Sequence, residues 1–319
     1  MPAWYVRRAM LRAAVFETRD HELWAQRPAS PATVATGVLT EVREDAIALD
    51  TGRGTELFAV SPATVTWRGT RTAPAQLRSG DPVIVRHRAP DSSAPHRRLA
   101  ERIWARIGRV TGTIIAGDGH EFLVDGDRRE RQHVVITPDS SRQIQVRFPR
   151  LAPGYLLDVI GTRHGDRLLA MAPATAQPPY RAGHSPRPPL VSGPVIMPVS
   201  GSAVWHEPDG EPPGLLGLGY PAVDPAEGAG PASGGAGCVR LPYLSLGSAV
   251  RIRNECADRT AVLPVTSDGA LARQFCDRCV HCGTSPKGRL ADLTMAAFVE
   301  LGGNLEDGCF NATLTTLAS

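Results

Sequence analysis

Short alternating runs of apolar and polar residues, separated by Gly, Asp and Pro, fill the chain from residue 36 to residue 172. The runs at 46–50 and 121–125 have the two-residue period that is typical of half-buried strands. The 32 Gly and 28 Pro among 319 residues also favour short strands and turns over long helices. The pattern therefore predicts a mainly β fold.

This alternating pattern occurs twice, at a nearly constant separation. Gly37 and Gly112 open the two copies 75 residues apart, and Gly80 and Gly154 lie 74 residues apart later in each copy. An offset this steady indicates internal duplication. We expect each copy to form a small closed β-barrel of the oligonucleotide/oligosaccharide-binding (OB-like) kind, because closure leaves no exposed sheet edge.

Changes in composition predict the domain boundaries. A polar tail precedes the two repeats, and a Pro-rich stretch with little to bury follows them as an extended linker. Short apolar runs then open a C-terminal β domain. The predicted segments are an N-terminal tail at 1–34, barrel repeats at 35–105 and 106–173, a linker at 174–194 and a C-terminal barrel at 195–319.

One carboxylate in the C-terminal domain stands where a short strand passes into a helix. Leu290 and Leu293 flank Asp292 in the strand, Thr294 can cap the first helical turn, and apolar residues follow at helical spacing. A carboxylate held at such a junction often faces a groove, so Asp292 is the first candidate for a functional residue. The alternative is a structural role as a cap or a loop ligand.

The motifs around Asp292 resemble those of the double-psi β-barrel superfamily. This group includes expansins, barwin-like proteins, rare-lipoprotein-A-type (RlpA-like) proteins and one family of endoglucanases. The matching motifs cover about a quarter of the chain and are LGSAVRIRN, VTSDG, RLADLTMAAFVELGG and GCFNATL. The resemblance implies a C-terminal double-psi β-barrel that binds or remodels wall polysaccharide or peptidoglycan.

The resemblance also implies roles for three carboxylates. The Asp that matches Asp292 lies in the substrate groove, where it acts as general acid in glycan-cleaving members and is needed for wall loosening in expansins. Asp268, on a turn after a strand, is the candidate partner, and Asp224 is another. Inverting hydrolysis needs two carboxyl groups about 6.5–9.5 Å apart. For both Asp268 and Asp224, a role as a turn residue is favoured over the catalytic one, because Asp-Gly is a strong turn signal.

Substrate contacts are predicted at Tyr220, Asp224 and Tyr243. The groove is nevertheless poor in aromatic residues. Rare-lipoprotein-A-type enzymes place a His before a Pro-containing turn, whereas the matching stretch at 240–243 has none. Non-catalytic binding is therefore favoured over hydrolysis; an activity, if present, would be that of a glycan hydrolase or lytic transglycosylase.

All cysteines fall in the C-terminal domain, at Cys238, Cys256, Cys276, Cys279, Cys282 and Cys309. An even, local cluster is typical of disulfides in an oxidising compartment. The resemblance implies that the loop with Cys276, Cys279 and Cys282 is tied to strands at Cys238, Cys256 and Cys309. The alternative is a zinc site, because CxxCxxC spacing brings three thiols to one ion and Cys256, Cys309 or His281 could complete it. We predict disulfides, with no metal or other cofactor.

Charge and hydropathy restrict the partners. A net charge of +3 gives little argument for nucleic acid, although Trp67 and Trp104 with nearby arginines could stack on bases. No apolar run reaches the roughly 18 residues of a membrane span. The cysteines indicate an extracytoplasmic or secreted protein, whereas Arg12 interrupts the apolar run that a signal peptide would need. The expected partner is a cell-wall glycan or peptidoglycan.

A rival function belongs to another class. In a barwin-like protein-interaction module or protease inhibitor, disulfide-fixed loops bind another protein. Such loops are already ordered before contact, so binding loses little conformational entropy. Asp292 would then be structural. A cytosolic zinc protein is a third hypothesis, which follows if the cysteines are reduced.

Overall fold

The computed structural model describes residues 34–88, 98–126, 131–184, 197–208, 214–224, 226, 238–269, 271–282 and 288–317. The predicted tail, apart from Val34, and the last ten residues of the predicted linker lie outside these ranges. The described residues are mainly β and form three closed barrels. The prediction of a mainly β chain built from small barrels is therefore confirmed.

The first barrel closes where β3 meets β7 in parallel. Its five strands follow the order β1-β2-β3-β7-β6, and β4 and β5 extend the sheet beyond β7. Leu49, Phe58 and Ile103 fill the interior. The strands are β1 Val34–Val42, β2 Ala46–Asp50, β3 Thr55–Ala59, β4 Val65–Trp67, β5 Arg71–Thr72, β6 Pro82–Arg88 and β7 Arg98–Ala105.

The second barrel repeats this strand order and adds a helix. The order β8-β9-β10-β12-β11 again has one parallel contact, between β10 and β12. Helix α1 begins at Pro138, and Thr137 accepts a hydrogen bond from the Ser140 amide at its start. The elements are β8 Ile107–Asp118, β9 Glu121–Asp125, β10 Gln132–Ile136, α1 Pro138–Arg147, β11 Leu156–His164 and β12 Arg167–Pro173.

Corresponding glycines show that the two copies share one backbone design. A Cβ atom on Gly37 would lie 2.4 Å from the carbonyl oxygen of Asp50, and one on Gly112 would lie 2.2 Å from that of Asp125. Both contacts are too close for any residue with a side chain. The strands therefore cross equally closely in both barrels.

The outer faces of the two copies differ. Thr36 pairs with Ile84, and Thr111 pairs with Asp158, so Ile84 and Asp158 occupy equivalent positions. Ile84 joins an apolar cluster shared with the third barrel. Asp158 is fully buried among charged groups. At this position, the first barrel therefore contacts the third through an apolar side chain, whereas the second contacts it through a buried charge.

The third barrel has six strands in the closed order β13-β17-β14-β16-β15-β18. Two neighbouring pairs are parallel, β13 with β17 and β14 with β16, and the others are antiparallel. Trp205 and Phe298 are fully buried in its core. The elements are β13 Val199–His206, β14 Leu218–Tyr220, β15 Ala249–Asn254, β16 Arg259–Asp268, β17 Arg289–Thr294, α2 Met295–Glu300 and β18 Cys309–Thr316.

The described start of the predicted linker is packed rather than extended. Ala174 and Thr175 are fully buried, and the Thr175 hydroxyl donates to Asp158 at 3.3 Å. Ala176 exchanges two backbone hydrogen bonds of 3.0 Å with Arg278. These first residues are small and can be buried, whereas the prolines begin only at Pro178. The segment therefore joins the second barrel to the cysteine loop.

The loop between α2 and β18 contacts both N-terminal barrels. The Glu306 carboxylate accepts hydrogen bonds from Arg102 and from the Trp104 indole of the first barrel. The Gly308 carbonyl accepts one of 2.7 Å from Arg109 of the second barrel. The loop therefore docks the third barrel against the other two.

Four buried charges join the second barrel to the third. Arg109 binds both carboxylate oxygens of Asp158, at 2.8 and 2.6 Å, and Arg289 binds Asp158 at 2.5 Å. Arg289 also binds Asp277 at 3.0 Å through its Nε atom. We call these four residues the buried charge cluster; its charges sum to zero. Burial alone would raise the pKa of Asp158, but the guanidinium groups of Arg109 and Arg289 lower it overall.

Asp158→Asn should destabilise the protein by about 3–5 kcal/mol, because it leaves two buried guanidinium groups short of a counter-charge. Asp81→Asn is the matched control, since Asp81 is also buried but its partners Arg68 and Arg106 are 28% and 27% exposed. Water can solvate those arginines, so the control should lose less. Urea unfolding followed by tryptophan fluorescence measures both, and equal losses would contradict the special role of the cluster.

The lowered pKa of Asp158 also predicts an acid-sensitive interface. Its contribution to stability is full above the unfolded-state pKa of about 4 and is lost as the pH falls through the lower folded-state value. Melting temperatures measured from pH 7 to about pH 2 should therefore converge for the wild type and Asp158→Asn as the solution becomes acidic. A constant difference across that range would exclude this linkage.

Candidate functional site

The strand-to-helix junction predicted around Asp292 is present. β17 ends at Thr294, whose Oγ1 atom accepts hydrogen bonds from the amides of Gly217 and Ala297, both at 3.3 Å. The same hydroxyl donates to the Leu215 carbonyl at 2.6 Å. Thr294 thus caps α2 and ties the end of β17 to the chain that enters β14.

Strand register places Asp292 on the outer wall of the third barrel. Asp292 pairs with Val204 on β13 and with Gly219 on β14, while the next pair, Trp205 with Leu293, fills the barrel interior. Paired residues share a face and successive residues alternate between faces. The Asp292 side chain is 21% exposed.

A histidine that the sequence analysis did not identify lies beside Asp292. His206 Nδ1 is 3.3 Å from Asp292 Oδ1, and its ring is largely buried. The two residues are distant in sequence and meet only because β13 and β17 pair in parallel. The one available signal was a His at the end of the apolar run 203–205. The site therefore contains an imidazole–carboxylate pair.

The site is electrostatically connected to the buried charge cluster through β17. Burial alone would lower the pKa of Arg289, but the carboxylates of Asp277, Asp158 and Asp292 raise it overall. Arg289 therefore stays charged at any ordinary pH. Asp292 is the member of this charge arrangement that reaches solvent.

The register separates the two carboxylates that the resemblance paired. Asp268 is largely buried at the end of β16, opposite Tyr220 on β14, whereas Asp292 is opposite Gly219. Since Gly219 and Tyr220 are successive residues of one strand, Asp268 and Asp292 lie on opposite faces of the barrel wall. Ser267, rather than Asp268, shares the face of Asp292.

The three predicted substrate contacts lie in different environments. Tyr220 is fully buried, its hydroxyl donates to the Pro242 carbonyl at 2.9 Å, and burial raises its pKa. Asp224 accepts a hydrogen bond of 2.9 Å from the Ala226 amide, as turn residues do. Tyr243 is 71% exposed. Of the three, Tyr243 alone presents an aromatic ring at the surface.

Two disulfides tie the cysteine loop to the third barrel. Cys238 is bonded to Cys276, and Cys256 to Cys282. Cys279 and Cys309 are buried thiols with their sulfur atoms 2.9 Å apart. They pack with Val204, which pairs with Asp292 on the next strand. The loop therefore covers the outer wall next to the candidate site. Among the described residues, no three His, Cys, Asp or Glu side chains group as metal ligands.

The N-terminal barrels carry shallow grooves at equivalent places. The groove across β1, β2 and β3 encloses about 210 Å³, and that across β8, β9 and β10 about 310 Å³. Both have charged side chains along them. Trp67 and Trp104 are buried, so neither offers a ring on which a base could stack.

No family model matches this sequence, and no curated protein matches it. Among solved structures, the chain is similar to a multidomain protein with nucleic acid binding domains from Streptococcus pneumoniae. The two are 19% identical, with a TM-score of 0.17, over 44% of this chain and 51% of that one. The match thus spans about half of the other protein.

Within the described residues, no helix has the length and apolar character needed to cross a membrane.

Thr294→Ala should lower the free energy of unfolding by about 1–2 kcal/mol, because the cap of α2 and the tie to β14 are lost together. Thr294→Ser keeps the hydroxyl and should recover most of that stability. Thermal unfolding by circular dichroism compares the two variants. Equal losses would show that the methyl group, and not the hydrogen bonds, fixes the junction.

Proposed function

We propose that the third barrel binds cell-wall glycan or peptidoglycan, in the manner of expansin-like proteins, and that Asp292, held by His206, contacts the sugar. The observation that carries this proposal is the partly exposed Asp292 carboxylate, paired with His206 on the outer wall of the barrel. The proposal includes an extracytoplasmic location, which two disulfides support.

The strand arrangement supports a double-psi barrel for the third domain. A closed six-stranded ring with two parallel pairs requires crossover connections, because parallel neighbours cannot be joined by a tight hairpin. The shared five-stranded order of the first two domains, with α1 inserted between β10 and β11, supports barrels of the OB type. We propose these assignments together with the function.

The chemistry of the pair suits sugar hydroxyls. An ionised Asp292 accepts hydrogen bonds from hydroxyl groups, and the His206 ring can hold the carboxylate in place. Binding is favoured over hydrolysis, because Asp268 lies on the other face of the wall, whereas two-carboxylate catalysis needs both groups to flank the same scissile bond, about 5–9.5 Å apart.

Asp292→Asn should reduce retention on insoluble peptidoglycan or wall polysaccharide by about tenfold or more, since a charged hydrogen bond contributes about 1.5–3 kcal/mol. The matched control is Asp258→Asn, which removes the same charge from an exposed turn of the same barrel. Co-sedimentation over a range of polymer concentrations measures both. Equal retention by the two variants would overturn the role of Asp292.

A second candidate function is a protein-binding module of the barwin-like kind. It is favoured by the disulfide-tied loop and by the exposed ring of Tyr243 in the same domain. This function expects Tyr243→Ser to weaken binding to a protein partner and Asp292→Asn to leave it unchanged. The glycan function instead expects Asp292→Asn to weaken retention on the polymer more than Tyr243→Ser does.

A further inference from the structure

Four sulfur atoms form a continuous series across the cysteine loop. Cys309 Sγ is 2.9 Å from Cys279 Sγ, and Cys279 Sγ is 3.5 Å from Cys282 Sγ. Cys282 is in turn bonded to Cys256. Two thiols and one disulfide are therefore close enough for a thiolate to attack the disulfide without a large movement of the chain.

The series runs from the interior to the surface. Cys309 and Cys279 are buried, Cys282 is partly buried, and Cys256 is exposed on the turn after β15. The disulfide Cys238–Cys276 uses the same loop but is not part of this sulfur series. An external molecule can thus reach one end of the series, while the dithiol at the other end is covered.

The surroundings of Cys279 distinguish it as the attacking sulfur. The Cys309 thiol donates to it, and the backbone amides of His281 and Cys282 also face it. These contacts lower the pKa of Cys279, the Cys309 hydrogen bond most of all, whereas burial and the neighbouring Cys279 raise that of Cys309. Cys279 is therefore the first to become a thiolate, the form that attacks disulfides.

We infer that Cys309, Cys279, Cys282 and Cys256 form a thiol–disulfide relay, through which the buried dithiol reduces the surface disulfide and then an external disulfide. The geometry that carries this inference is the series of contacts from 2.9 Å to 3.5 Å that ends at the exposed Cys256. It does not depend on glycan binding.

The relay has two internal steps, and neither needs an added oxidant. The Cys279 thiolate attacks Cys282 Sγ, so that the Cys279–Cys282 bond forms and the Cys256–Cys282 bond breaks. Cys256 leaves as a thiolate and takes up the proton that Cys279 lost. Cys309, after losing its proton, attacks Cys279 Sγ, and Cys282 leaves as a thiolate. The product has a buried Cys279–Cys309 disulfide and a dithiol at Cys256 and Cys282.

The surface dithiol then reduces an external disulfide. Cys256 forms a mixed disulfide with it and releases one external thiol. Cys282 resolves the mixed disulfide, releases the second thiol and restores the Cys256–Cys282 bond. Two electrons have passed from the buried dithiol to the external disulfide, which leaves the protein with three disulfides.

The relay can be tested on the wild-type protein. Protein with two thiols per chain, prepared by limited reduction and removal of the reductant, is incubated with N-ethylmaleimide under native conditions and then mapped by mass spectrometry. The relay predicts that all chains finally carry label on Cys256 and Cys282 and hold a Cys279–Cys309 disulfide. A fraction that stays unlabelled, with thiols at Cys279 and Cys309 revealed only on unfolding, would overturn the inference.

A pair of double variants provides the kinetic test. In Cys256→Ser/Cys282→Ser, the buried thiols lose their connection to the surface, so oxidation of Cys279 and Cys309 by oxidised glutathione should slow by about tenfold or more. Cys238→Ser/Cys276→Ser removes the other disulfide and should oxidise at nearly the wild-type rate. Circular dichroism confirms that each variant is folded. Equal rates in the two folded variants would show direct oxidation and sink the relay.

Discussion

The docking of the second barrel against the third depends on the placement of Asp158 between Arg109 and Arg289, inside their interface. A buried ion cluster is costly to desolvate, and it is tolerated only where every charge has a partner. Arg289 can meet Asp158 only when the barrels are docked. The cluster therefore links the folding of each barrel to a single relative position of both.

The same cluster anchors the candidate site. Asp277 binds Arg289 and the Ser202 hydroxyl, and it lies next to Cys276, so the base of the cysteine loop is fixed where β13 and β17 meet. Three residues beyond Arg289 on β17, Asp292 reaches the outer wall. The buried charge cluster thus fixes the docked barrels, the base of the cysteine loop and the strand that carries Asp292.

Sequence patterns predicted the elements better than their environments. The alternating runs, the constant repeat offset and the capped junction at Thr294 were readable because each depends on local residues. The pairing of His206 with Asp292 was not, since it depends on two strands far apart in the sequence. Likewise, alternation shows that Asp158 faces out of its barrel, but only the docked neighbour makes that outer face buried.

Misplaced expectations have a similar cause. Tyr220 follows Gly219 in a short strand, and the sequence alone does not show which of the two faces the core. The strand register places Gly219 on the outer face of the barrel wall and Tyr220 on the face toward the core. A one-residue change of register exchanges the faces of a whole strand. The start of the predicted linker differs from expectation for a related reason, because its small residues are buried only by contact with the barrels.

The unlike residues at one position of the two repeats restrict how this chain can change by recombination. Gene conversion that copied the first repeat over the second would keep the glycines and strand order that each barrel needs. It would also place the equivalent of Ile84 where Asp158 now meets Arg289. Both barrels would remain foldable, yet Arg289 of the third would lose one of its two partner carboxylates. The repeats are therefore interchangeable as folds but not as parts of this assembly, and selection has a physical reason to keep their sequences apart.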